Sequence, residues 1–102
     1  MANKEVKLDF SKDFDFNSKN YFVVYFNEEK IIFTSYQKCE GPITMQYLPN
    51  GGIQSLFGYK IIIKVNNGFL EVDELIYKGE LYSSKSFIDL IGDLKLINQV
   101  LE

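Results

Sequence analysis

Through most of its first 82 residues this chain places apolar side chains at every second position, and from Ser84 onward at every third or fourth. A period of two puts one face of a strand into a core, and a period near 3.6 does the same for one stripe of a helix. Val6, Leu8 and Phe10 oppose Glu5, Lys7 and Asp9, and Phe14 and Phe16 resume the beat after Ser11-Lys12-Asp13. Tyr21–Phe26 is apolar on both faces and reads as a central strand. Asn27-Glu28-Glu29-Lys30 reads as a turn into a strand over 31–36, which Gly41-Pro42 ends. Ile43, Met45 and Tyr47 then alternate with Thr44 and Gln46 up to the turn signal Pro49-Asn50-Gly51-Gly52.

Residues 53–58 fit a helical turn and an irregular loop equally well. Tyr59, Ile61, Ile63 and Val65 alternate with Lys60, Ile62 and Lys64, and Asn66-Asn67-Gly68 is a hairpin signal. Short strands are expected at 69–72 and 75–77, with another at Leu81-Tyr82. From Ser84 the apolar positions Phe87, Leu90, Ile91, Leu94, Ile97 and Leu101 predict one amphipathic helix over about 84–101. Ser86 with Asp89 resembles a capping box, with Ser83 and Ser84 as alternative caps. Gly92 interrupts this helix, either to make room for a bulky sheet residue or because the helix breaks there.

Strands first and one closing helix argue for a single α+β domain over 1–102, with no linker or repeat. The expected arrangement is an antiparallel meander of about five to seven strands over about 4–82, the helix packed on one face.

What the chain lacks bears on function. It contains no histidine, arginine or tryptophan, and all eleven of its cations are lysines. The commonest general base and metal ligand is therefore absent, as is the bidentate grip on phosphate and guanine. The net charge of −3 argues against nonspecific binding to nucleic acid, which relies on clustered cations. The one cysteine, Cys39, forms no internal disulfide and reads as a small buried hydrophobe. Met1-Ala2-Asn3-Lys4-Glu5 has no apolar stretch of a signal peptide, so a cytoplasmic protein is expected. Lys, Asn, Ile, Phe and Tyr fill 46 of the 102 positions, a bias of AT-rich genomes such as those of low-GC bacteria and their phages.

Three patterns approach known chemistry and fall short. Asp13-Phe14-Asp15-Phe16-Asn17 opens like a calcium loop, but Ser18 stands where glycine is needed and Val24 where the bidentate glutamate belongs. Gly52–Gly58 is one residue too long for a phosphate loop, and no lysine follows Gly58 directly. Glu71 and Asp73 share a strand face, as an acid–base pair would, but exposed acids on a strand are usually solvated. No catalytic residue, metal or cofactor is therefore expected.

Seven tyrosines beside nine phenylalanines leave some tyrosine at the surface. Tyr77 and Tyr82 flank Lys78-Gly79-Glu80, next to Glu71, Asp73 and Glu74. Either the tyrosines close the core edge, or these residues, with Asp13 and Asp15, form an acidic, aromatic patch that docks onto a basic protein surface. The expected function is that of a non-enzymatic inhibitor or adaptor, by compositional analogy with anti-CRISPR-like products of phages that block a host nuclease. Two other readings stand beside it. One is a nucleotide or single-strand binder using Lys60 and Lys64. The other is a homo-oligomeric subunit, for instance of a phage particle, joined through the C-terminal helix, where Ile88, Leu96 and Val100 widen the apolar stripe.

Overall fold

A computed structural model of the chain describes residues 4–41, 47–96 and 99–102. The elements are β1 (Glu5–Lys7), β2 (Tyr21–Phe26), β3 (Glu29–Cys39), β4 (Gly52–Leu56), β5 (Lys60–Val65), β6 (Gly68–Tyr77), β7 (Glu80–Ser83), α1 (Ser84–Ile91), α2 (Asp93–Leu96) and β8 (Gln99–Val100). The strands make one mixed, strongly curled half-barrel sheet in the order β1-β2-β3-β6-β5-β4-β8, with β7 also on β6.

The expected meander is corrected at two points. β1 runs parallel to β2, and β3 pairs with β6 rather than with β4. Alternation reports that one face of a strand is buried and carries no information about its neighbour's direction. Residues 8–20 are too many for a hairpin and give the chain room to return parallel. Where turns are short, the pairing is antiparallel. Asn27 and Glu28 (φ +48° and +69°) link β2 to β3, and Lys78 and Gly79 (φ +52° and +79°) link β6 to β7, the two-residue geometry that matches strand twist. Residues 53–58 become β4 and the start of a three-residue turn, Phe57-Gly58-Tyr59, into β5. The alternation at Ile43, Met45, Thr44 and Gln46 lies outside the described residues.

Inside the curl lies a cluster that includes Val24, Ile31, Phe33, Ile61, Ile63, Leu70, Val72 and Leu75, all nearly inaccessible. Phe87 and Ile88 of α1 enter this cluster, and Leu96 and Leu101 complete it. The outer face of β5 is covered as well: Ile62 is buried against Phe69, with Cys39, Leu48 and Leu56 around them.

The long helix expected over about 84–101 is corrected to the short α1. Ser83 caps it, its Oγ accepting from the Ser86 N–H at 3.2 Å, so the Ser86–Asp89 box is not used; Asp89 pairs with Lys85 at 3.0 Å. Gly92 ends it at φ +93° while its N–H donates to the Ile88 carbonyl at 2.7 Å. A Cβ at Gly92 would meet nothing within 4 Å, so the backbone angle, and no crowding, calls for glycine there. Ile97 and the Leu94 side chain lie outside the described residues. No helix among the described residues is long and apolar enough to cross a membrane.

Two clips hold the curl. The tail beyond β8 joins its two sides: Leu101 N–H donates to Gly51 O (2.8 Å), and Tyr25 and Glu102 exchange backbone bonds of 2.6 and 2.9 Å. Gly51 permits this approach, since a Cβ would stand 2.8 Å from the Leu101 oxygen. The second clip is asparagine-built. Asn67 on the β5–β6 hairpin accepts from Phe14 N–H (2.8 Å) and donates to Phe14 O (3.0 Å), holding the β1–β2 connection. That pins Phe14 among the rings of Phe16, Phe22 and Tyr36, with centroids 4.9–5.6 Å away.

Candidate functional site

The site arises where β6 changes partner. Its first half, Gly68–Val72, pairs with β5, and Glu74–Tyr77 pairs with β7 along the same edge. Asp73 sits at the seam. On the other edge the ladder to β3 slips twice there, so that Thr34 on β3 and Asp73 on β6 are each an extra residue. As a result Val72 and Leu75, three apart, both point into the core, while Glu71, Asp73 and Glu74 remain outside it. Thr34 buries its hydroxyl oxygen with no partner among the described residues, a cost of the irregularity.

A cleft of about 490 Å³ opens at this seam. Tyr59 and Lys60 at the start of β5 form one wall. Glu71, Val72 and Asp73 form the floor, and Ser83, Ser84 and Lys85, at the junction of β7 with α1, form the other wall. Ser84, itself buried, donates its hydroxyl to the Val72 carbonyl and so ties the helix start to the seam.

The floor is acidic and partly dry. The Glu71 side chain is 13% exposed; Lys60 Nζ lies 3.6 Å from its Oε1, and Gln37 Nε2 donates to its Oε2 at 3.0 Å. Asp73 has no salt bridge among the described residues. Burial pushes its carboxyl above the usual range, and the neighbouring Glu71 pushes it further. Both effects disfavour a second negative charge beside Glu71, whose own cation, Lys60, pairs with Glu71 and not with Asp73.

Beside the floor stands an aromatic tip. Phe57 is 75% exposed and Tyr59 49% exposed, and their rings stack at 6.1 Å and 28°. Phe57 adopts φ +58°, a left-handed conformation that a bulky side chain rarely accepts. Lys60 Nζ sits 5.9 Å from the centroid of the Tyr59 ring.

The sequence-selected residues divide among different places. Glu71 and Asp73 line the cleft and Glu74 is exposed at its margin. Tyr77 is corrected as a docking residue: it is 8% exposed and packs edge-on against Phe87 at 5.3 Å. Tyr82 pairs with Leu75 and packs near Tyr77 and Phe87 on the core-facing side, its hydroxyl donating to Glu80 at 3.1 Å. The single patch spanning Glu71 to Tyr82 is therefore split between two faces, because the slip at Asp73 changes which positions turn inward.

Asp13 and Asp15 lie by the opposite end of β5 from Lys60. Asp13 accepts from Asn66 Nδ2 at 2.6 Å, and Asp15 accepts from the Asn17 N–H at 2.9 Å, so both serve the β1–β2 connection. Lys64 Nζ donates to the Val65 carbonyl at 3.1 Å and lies over Phe69, which commits the second of the two lysines proposed for phosphate. Ile88 and Leu96, proposed as a seam between copies, are buried in the chain's own core. Phe57 was missed as a site residue because residues 53–58 had no assigned element, and Tyr59 because it continues the apolar beat of Ile61, Ile63 and Val65, whereas it lies in the turn before β5 and is exposed.

Compared with the models of known protein families and with curated proteins, the chain has no match. The reading of the site rests on its geometry.

Proposed function

We propose that this chain is a non-catalytic binding domain that docks onto a basic surface of a partner protein through the seam cleft and its aromatic tip. The observation that carries this reading is the half-buried Glu71–Asp73 pair, in which Lys60 pairs with Glu71 alone, beside two exposed stacked rings. A partner cation relieves the repulsion within the pair, and the rings add area at low entropic cost. The acidic floor disfavours phosphate-bearing ligands, which weakens the nucleotide reading. Against catalysis stand the missing imidazole and the state of Cys39, whose thiol is pushed up by burial and then by Glu71, away from the reactive thiolate. A basic nucleic-acid groove on an effector is one surface of this chemistry, and occupying it would make the chain an inhibitor or adaptor.

The test is selection of peptides from a random displayed library on the immobilised chain. Selected peptides should carry lysine or arginine beside an apolar residue. Retention should fall about tenfold or more between 50 mM and about 500 mM salt, where the Debye length shrinks below a side chain's reach. Glu71→Gln/Asp73→Asn should lose them. Selection of neutral peptides, or retention indifferent to salt, would refute the proposal.

A further inference from the structure

One of the chain's own cations, Lys60, stands against the acidic floor of the cleft. Lys60 places its ammonium over the Tyr59 ring and against one oxygen of Glu71, while Asp73, the second carboxylate, has no ion-pair partner among the described residues. An ammonium is a compact point charge and serves one carboxylate at a time. A guanidinium is planar, carries donors in a fork, and stacks on an aromatic face. Its geometry matches two neighbouring carboxylates in a cleft that Tyr59 also lines. The Lys60 side chain is 37% exposed, so its flexible stem can swing into solvent and leave the floor vacant.

We infer that the cleft selects an arginine side chain of the partner, the guanidinium spanning Glu71 and Asp73 against Tyr59, and that Lys60 is a built-in competitor displaced on binding. This rests on the proposed docking function and names the residue it recognises. Charge complementarity selects a cation, and the paired carboxylates and the ring select arginine over lysine. A chain without arginine of its own offers no self-complementary ligand for this cleft, so the occupant comes from another protein.

The experiment is an NMR titration of the ¹⁵N-labelled chain at low salt with the N-acetyl amides of arginine, lysine and citrulline. The backbone amides of Tyr59, Lys60 and Glu71–Asp73 should move with arginine, which should bind about tenfold more tightly than lysine. Citrulline, similar in shape and uncharged, should not saturate. Asp73→Asn should bring arginine down to the lysine level, with spectral dispersion confirming that the variant is folded. Lys60→Gln should tighten arginine about threefold, the scale of an exposed ion pair. Equal affinity for arginine and lysine, or weaker arginine binding by Lys60→Gln, would overturn the inference. If arginine amide leaves the cleft unmoved while selected basic peptides still bind there in a salt-sensitive manner, arginine selection falls and the docking function stands. If neither binds, both fall.

Discussion

Asn67→Ala tests whether the asparagine clip holds the long β1–β2 connection. Asn67 makes two partly buried bonds to the backbone of Phe14, accepting at 2.8 Å and donating at 3.0 Å. Each neutral bond is worth about 1 kcal/mol net, and a buried group left without a partner adds its own desolvation cost, so the loss should be about 2–3 kcal/mol. For a domain near 100 residues that corresponds to a fall in Tm of roughly 10–20 °C. Asn66→Ala, on the same hairpin, is the control: it removes two exposed bonds, to Asp13 and from Asn50, and should cost no more than about 0.5 kcal/mol. A further check is Phe14→Leu, alone and combined with Asn67→Ala. Phe14 is held in its ring cluster by the clip, so the two losses should be less than additive. Urea denaturation followed by circular dichroism measures all four proteins. Equal losses from Asn66→Ala and Asn67→Ala, or a loss below about 0.5 kcal/mol for the latter, would show that the connection is held by something other than these two bonds.

Gly92→Ala should destabilise by about 1 kcal/mol in the same assay, because alanine is strained at φ +93° where added volume is free; an unchanged midpoint would contradict this. Phe57→Asn should stabilise the fold by up to about 1 kcal/mol, since asparagine tolerates the left-handed turn, while weakening retention of basic peptides; a loss of stability would deny the strain at this tip. Asp73→Asn should be the more stable protein at neutral pH. In the folded chain Asp73 keeps its proton to higher pH than in the unfolded chain. Its stabilising contribution is therefore full below the ordinary carboxylate range and is lost as pH rises through its raised pKa. The advantage of the variant should disappear near about pH 3, and an advantage constant from there to pH 7 would refute the assignment.

Much of the fold was legible because burial leaves a periodic trace. Val6 with Leu8, and Ile61, Ile63 and Val65, mark strands whose inward faces are the ones observed, and Tyr21–Phe26, read as apolar on both faces, forms β2. Direction and order left no such trace. Nothing in the composition of residues 8–20 distinguishes a parallel return from an antiparallel one, and the β3–β6 pairing depends on two long strands meeting across 28 residues of sequence that separate Cys39 from Gly68. The C-terminal helix misled for a different reason. Leu94, Ile97 and Leu101 keep the apolar beat of the sequence past Gly92, but Leu101 reaches the core from the tail and Leu96, off that beat, reaches it from α2, so continuity of pattern concealed a break in the backbone.

The slip at Asp73 was present in the sequence and could have been read there. Leu70 and Val72 form one alternating pair, Leu75 and Tyr77 another, and the two are out of phase by one residue. Two short strands satisfy that pattern, as does one long strand with an extra residue at the junction, and the second is what forms. The core therefore explains the position of Asp73 completely: an unslipped β6 would turn Leu75 and Tyr77 into solvent. It does not explain Phe57 and Tyr59. The left-handed angles at Glu28 and Lys78 belong to two-residue hairpins that demand them, but the Phe57 ring gains no burial for its strain, and asparagine or glycine would serve the turn better. Two stacked exposed rings, one of them held at a cost to the fold, next to a carboxylate pair that the core placed beside them, mark a region where stability does not account for the residues present.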